Sequence, residues 1–214
     1  MFNFSSKTII NKEFKLSDIL KQIHADKDVR VDAGKINKIK LSNVINASTF
    51  NSDEECVIKE IYIFELELNR KEVPALFLKE LDKSIMFQTF FICRFGDEVY
   101  TQITYKVIDK KVNLDNRTYS HNFHQDDEIP IPRIDNVQLA YKFLLEYEVG
   151  VPGRHSEIPD EYMQRVKEIH KLDFQIGKTE MAIVHETQPK LKFKYNANLR
   201  KYKKQKEELM KAEE

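Results

Sequence analysis

The sequence predicts an α+β fold: a small mixed sheet with a strand–helix–hairpin core covered by helices, followed by a C-terminal helical hairpin or short coiled coil. Three observations predict it. An apolar, β-branched and aromatic run from Ile58 to Asn69 is followed by Pro74 and a stripe of Leu78, Leu81 and Ile85. That order reads as a strand and then a helix with proline in its first turn. Two further strand-like runs, "FQTFFICRF" and "VYTQITYKVI", flank the compact turn "GDE", the pattern of a hairpin. Finally, "GVPGRHSEIP" sets two Gly and two Pro between an apolar helical stretch and two long charged ones. This break divides the chain into a core domain, 1–150, and a charged helical tail, 151–214.

The elements follow in order. The start is irregular. In "KLSDILKQIHA", Leu16, Ile19, Leu20 and Ile23 fall at helical spacing and Ser17 can cap the helix. The next stretch alternates only in short pieces broken by Gly34, and a strand is expected at Asn43–Phe50, with "NSDEE" as a loop. The strand from Ile58 is apolar on nearly both faces until Glu65, which places it centrally in the sheet, under the following helix. From Asp109 to Pro132 the chain is polar and turn-rich, before the helix "NVQLAYKFLLEYEV". In the tail, Val166 and Ile169, then Leu199, Tyr202 and Leu209, keep spacings of three and seven that suit paired helices.

Composition narrows the function classes. Of 214 residues, 35 are Lys or Arg and 35 are Asp or Glu, so overall charge selects neither an acidic nor a basic partner. No apolar run approaches the roughly 20 residues of a membrane span. The opening "MFNFSSKTIINKEF" lacks the charged and apolar regions of a leader. A cytoplasmic protein without membrane association is expected. Cys56 and Cys93 stand apart from each other and from histidine clusters, which reads as two buried thiols rather than a zinc site or a disulfide. There is no Walker loop, GxGxxG, GxSxG or HExxH, and five glycines leave little room for a phosphate cradle. No cofactor and no metal are expected.

Three stretches could carry chemistry. In "EIYIFELELNRKEVP", alternation puts Ile61, Ile63, Glu65, Glu67, Asn69 and Lys71 on one side of the strand. Two carboxylates on one strand face with a following lysine resemble the ligand set of a PD-(D/E)xK nuclease, where a divalent cation and a lysine stabilise the charge developing in phosphodiester cleavage. Asn69 stands where that lysine belongs, Lys71 lies one step further, and the upstream acids Asp53–Glu55 are in a loop. The solvated end of an ordinary strand is the other reading. In "SHNFHQDDE", His121, His124, Asp126 and Asp127 crowd together. Such residues can bind zinc or iron, but on a loop without a further ligand set they read as a polar connection. The tail "KLKFKYNANLRKYKKQK" holds Lys190, Lys192, Lys194, Arg200, Lys201, Lys203, Lys204 and Lys206 interleaved with Phe193, Tyr195 and Tyr202. Phosphate neutralisation with aromatic stacking is how nucleic acid is held. Alternatively these lysines solvate a helix whose Leu199, Tyr202 and Leu209 meet a partner helix.

Three pieces in order, "MFNF", "EIYIFELELNRKEVPALFLKELDKSI" with its hairpin, and "ETQPKLKFKYNANLRKYKKQKEEL", resemble a family of short bacterial and archaeal proteins known only as a domain of unknown function. The resemblance runs from Met1 to about Leu209. Members are often encoded beside helicases and DNA methyltransferases, which implies an accessory role in DNA restriction or phage defence. Relatives often carry Lys where this chain has Asn69, and "KEKQFN" where it has "HETQPK"; Pro189 is expected to break or kink the helix there. The leading expectation is therefore a non-enzymatic accessory subunit that docks on a helicase or methyltransferase, with DNA as a further partner. Its rival is a divergent metal-dependent nuclease using Glu65, Glu67 and Lys71. Self-association through the tail is a third expectation.

Overall fold

A computed structural model describes residues 2–49, 57–106, 117–127, 129 and 136–211. The chain divides into two compact units, Met1–Val149 and Gly150–Glu214. The expected loop "NSDEE", with Asp53–Glu55, and Cys56 lie outside the described residues.

The first unit is built on a six-stranded sheet: β1 (Ile9–Phe14), β2 (Ile36–Asn46), β3 (Glu60–Leu68), β4 (Gln88–Phe95), β5 (Glu98–Tyr105) and β6 (Arg117–Gln125), in spatial order β1-β2-β3-β4-β5-β6. Neighbours are antiparallel except β3 and β4, which are parallel. A parallel pair cannot be joined by a tight turn and needs a crossover. The helix Ala75–Ser84 supplies it. Antiparallel β4 and β5 are joined by a tight turn in which Gly96 has φ +58°, a backbone region costly for any residue with a Cβ.

Helices cover the sheet: α1 (Leu16–Gln22), α2 (Lys27–Ala33), the crossover helix α3 (Ala75–Ser84) and α4 (Val137–Val149). Alternation along β3 sends Phe64, Leu66 and Leu68 into one core with Phe77, Leu78 and Leu81 of α3, Ile19 of α1, Val29 and Ala33 of α2, and Phe91 and Cys93 of β4. Burial pushes the Cys93 thiol pKa up, so it is an inert filler. Helix α4 packs on β5 and β6, burying Tyr141, Leu144 and Leu145.

Helix α3 is fastened at both ends by side chains remote in sequence. Its N-cap, Pro74, supplies no capping side chain. Instead Asp32 Oδ2, from α2, accepts the N–H groups of Leu76 at 2.8 Å and Phe77 at 3.0 Å, while Oδ1 pairs with Lys35 Nζ at 2.6 Å. At the other end Lys106 Nζ donates to the carbonyls of Asp82, Ile85 and Phe87, where the helix exposes its partial negative charge.

Several local expectations are corrected. The irregular start contains a 3-10 turn at Ser6–Thr8 and then β1. Lys15, not Ser17, is the N-cap of α1, and the Ser17 hydroxyl turns to Asp18. The strand expected at Asn43–Phe50 begins earlier, as β2, behind the unforeseen α2. The stretch holding His121 and His124 is strand β6, not a loop.

The second unit pairs α5 (Pro159–His185) with α6 (Pro189–Met210). The tail helix breaks ahead of Pro189, as expected, between His185 and Pro189. Pro189 opens α6 within the first turn, where its missing N–H has no intrahelical partner to lose.

Candidate nucleic-acid interface

On α6, the half-buried positions Leu191, Tyr195, Leu199, Tyr202, Lys206 and Leu209 recur at steps of three and four, the signature of one helix face against a neighbour. The proposed partner contacts Leu199, Tyr202 and Leu209 thus sit on the half-buried stripe of the intramolecular pair. Two lysines also turn that way: Lys203 pairs with Glu180 of α5 at 2.7 Å and Lys206 with Asp173 at 2.6 Å. On the opposite face Lys190, Phe193, Lys194, Ala197, Arg200, Lys201 and Lys204 are exposed. From Lys190 to Lys204 there are 14 helical rises, about 21 Å of helix. Among the described residues Lys190, Lys194, Arg200 and Lys201 make no ion pair, and Lys204 reaches only Glu208, at 4.0 Å. Phe193, 77% exposed, sits in the same row. Lys192 is exposed beside the half-buried stripe. The helix therefore sorts the tail's basic residues into inward ion pairs and an outward cationic row with an aromatic ring.

The paired carboxylates of β3 lie on the other candidate surface, a cleft of about 420 Å³ lined by Glu13, Lys38, Lys40, Glu65, Leu66, Glu67, Arg94 and Gly96. Glu65 is buried and bound to Lys40 at 2.9 Å and Arg94 at 3.7 Å. Arg94 also pairs with Asp126. Glu67 is exposed and accepts from Asn37 Nδ2 at 2.8 Å. Lys71 does not join them; it pairs with Glu98 at 2.6 Å and lies over the Phe123 ring. Asn69 donates to the Gly34 carbonyl. The cleft brings together three carboxylates and three cations, with Glu65 already matched by its neighbours.

A third cluster lies where α4 meets β5 and β6. Glu148 has a fully buried side chain, and His121 Nδ1 stands 3.2 Å from its Oε2. By strict geometry the Glu148 oxygens, His121 Nδ1 and the Thr101 hydroxyl close no hydrogen bond, but the Thr101 hydroxyl and the His121 backbone N–H approach the carboxylate closely enough to act on it. Burial pushes the Glu148 carboxyl up to about 8, against the downward pull of the Thr101 hydroxyl and the His121 backbone N–H. Burial, then the neighbouring His124, lowers the His121 pKa. Tyr147 joins the cluster, with its hydroxyl 3.1 Å from His124 Nε2.

The sequence profile of a family described as a domain of unknown function, DUF4391, matches residues 2–205. The chain belongs to this family. No curated protein and no solved structure matches it. Among the described residues no helix is long and apolar enough to cross a membrane.

Glu148 was absent from the sequence-derived candidates, although a signal existed. Tyr141, Leu144, Leu145 and Glu148 share the buried stripe of α4, so a carboxylate occupies a position whose spacing calls for a hydrophobe. Arg94, Glu13, Lys38 and Lys40 were missed for a different reason: only the pairing of β1, β2, β3 and β4 gathers them.

Proposed function

We propose that this DUF4391 protein is a non-enzymatic, nucleic-acid-binding accessory subunit of a DNA restriction or phage-defence system, in which the α5–α6 pair follows a phosphate backbone and docks on a helicase or DNA methyltransferase. The observation that supports the reading is the outward row on α6. Cations held off from carboxylates keep their charge for phosphates, and Phe193 offers a ring for stacking. Phe174, Met181 and Val184 of α5, all exposed, add apolar surface to the same helix pair, suited to a protein partner.

The test is fluorescence anisotropy with single- and double-stranded oligonucleotides. Reversal of Arg200, Lys201 and Lys204 to Glu is expected to abolish binding and leave the melting temperature nearly unchanged, because exposed charges contribute at most about 1 kcal/mol each. Lys203→Glu, which removes an inward pair, should leave binding largely intact. Binding of the unmodified protein to duplex should weaken with salt at a log–log slope of about −0.9 per phosphate contacted. Equal affinity in the triple variant would sink the reading. The rival nuclease reading draws support from Glu13, Glu65 and Glu67 sharing one cleft, with Lys38 or Lys40 in the role first given to Lys71. Mg²⁺-dependent cleavage of the same oligonucleotides, lost in Glu65→Gln, would favour it instead.

A further inference from the structure

We propose that α6 is a groove-reading helix: its outward row lies along the major groove of B-form DNA, with Ala197 toward the groove floor and cations reaching the phosphates on both sides. This assignment rests on the nucleic-acid reading of the same row. It adds the form of the nucleic acid, the groove and the residues that meet the base edges.

Helix geometry sets the angular order of the row. Successive residues of an α-helix are turned by about 100°, so each position has an angle measured from Ala197. Lys190 and Lys204 fall about 20° to either side of it, Phe193 and Lys201 about 40°, and Arg200 and Lys194 about 60°. All seven are exposed, and from Pro189 to Lys206 the chain has no Asp or Glu. The face is therefore an arc of about 120°, with Arg200 on one margin and Lys194 and Lys201 on the other. A groove is bounded by two phosphate strands, and a helix seated in it needs cations on both margins. A single strand laid along the helix needs only one line of them.

Along its axis the row is short in the middle and long at its ends. Ala197 is the midpoint of the segment from Lys190 to Lys204, as it is of the arc. The smallest side chain thus stands where the helix comes closest, and the two lysines stand about 10 Å to either side. A straight helix laid on a duplex enters the curving groove at its middle and leaves it at both ends, where only a long side chain still reaches phosphate. With its side chains a helix is about 10–12 Å across, and the major groove of B-DNA is about 12 Å wide and 8.5 Å deep. The major groove of double-stranded RNA is too narrow for side chains to read.

The crown of the arc is apolar. Ala197 and Phe193, the latter 77% exposed, have no side-chain donor or acceptor for a base edge. Both can pack on the C5 methyl group of thymine, an apolar feature of the major groove alone. Phe193 precedes Ala197 by about one turn, so the two meet neighbouring base pairs. Binding of a single strand relies on successive stacking rings, and the row holds only this one.

The test is anisotropy of the full-length protein with four probes of equal length: a duplex of A·T pairs in mixed order, the same duplex with deoxyuridine for thymidine, the RNA duplex of that sequence, and single-stranded DNA. Deoxyuridine removes the methyl groups and leaves every phosphate in place. The thymine duplex is expected to bind tightest, with a loss of roughly fourfold or more on the deoxyuridine duplex, the effect of one buried methyl group. Phe193→Ala should narrow that gap. Ala197→Trp should weaken binding of the thymine duplex and strengthen binding of the single strand, which gains a second ring. Circular dichroism checks the helices of each variant, and the four probes on the unmodified protein decide without any variant. Absence of binding to every probe would remove the nucleic-acid reading and this assignment with it. Equal affinity for the two DNA duplexes, tighter binding of RNA or the single strand, or a gap undiminished in Phe193→Ala would leave that reading standing and overturn the groove assignment.

Discussion

Replacing Arg165 by Leu is expected to destabilise the second unit by about 3–5 kcal/mol, the range for removing one partner of a buried ion pair. Arg165 and Glu157 are both buried. The guanidinium meets the two carboxylate oxygens at 2.7 Å each and also donates to the carbonyls of Leu209 and Pro152, at 2.8 Å each. It thereby joins the start of α5 to the end of α6 and to the segment before α5. Leucine fills part of the space but strands the Glu157 carboxylate. Lysine keeps the charge without the planar fork, so Arg165→Lys should fall between the two. Burial alone would raise the Glu157 pKa, but Arg165, with the Arg154 backbone N–H, outweighs it and holds the carboxyl below its ordinary value. A depressed carboxyl stabilises the fold above its unfolded pKa and loses that contribution as pH falls through the folded one. The Leu variant's deficit in urea unfolding should therefore be full at neutral pH and shrink in acid. A difference under about 1 kcal/mol at neutral pH would show that this network does not hold the unit together.

The second large effect is expected at Asp32. Asp32→Ala removes two hydrogen bonds from the first turn of α3 and one partner of Lys35, whose side chain is only 11% exposed and keeps Glu72 at 2.7 Å and the Val73 carbonyl at 3.2 Å. The two orphaned amides cost about 1–3 kcal/mol each, so a total of about 3–4 kcal/mol is expected. Burial by itself would lower the Lys35 pKa, yet hydrogen bonds and charge from Asp32 and Glu72 raise it. Asp32→Asn retains an oxygen toward the amides of Leu76 and Phe77 and should cost about half as much. Urea midpoints of the two variants check this; equal losses would mean that the charge, rather than the cap, carries the contribution.

The central part of the fold was legible because it is where burial writes a strong pattern. Strand β3 alternates Tyr62, Phe64, Leu66 and Leu68 against Ile61 and Ile63, and helix α3 repeats Leu78 and Leu81 at helical spacing. The edge strands left no such record. Strand β1 is exposed along nearly its whole length and β6 is half-exposed; with one neighbour each, they accept polar residues that read as loop. The tail's lysines were visible as a group, but sorting Lys203 and Lys206 from Arg200, Lys201 and Lys204 requires the register of α6 against α5. The His121, His124 and Glu148 cluster was the least legible. A bulge has no fixed residue signature, and Glu148 reaches the pair only because α4 folds back over β5 and β6.

The single parallel junction in the sheet has a consequence for biosynthesis. Strands β1–β2–β3 and β4–β5–β6 are each a three-stranded antiparallel set, and only the β3/β4 seam unites them. Until it closes, each set carries one bare edge dense in large apolar residues: Ile61, Ile63 and Phe64 on the first, Phe90, Phe91 and Ile92 on the second. Such edges recruit other chains. The N-terminal set leaves the ribosome first and waits, unpaired, for the second. The crossover helix, secured at both ends by Asp32 and Lys106, is then also a short leash that keeps the correct mate at high local concentration while the nascent chain is most prone to aggregate.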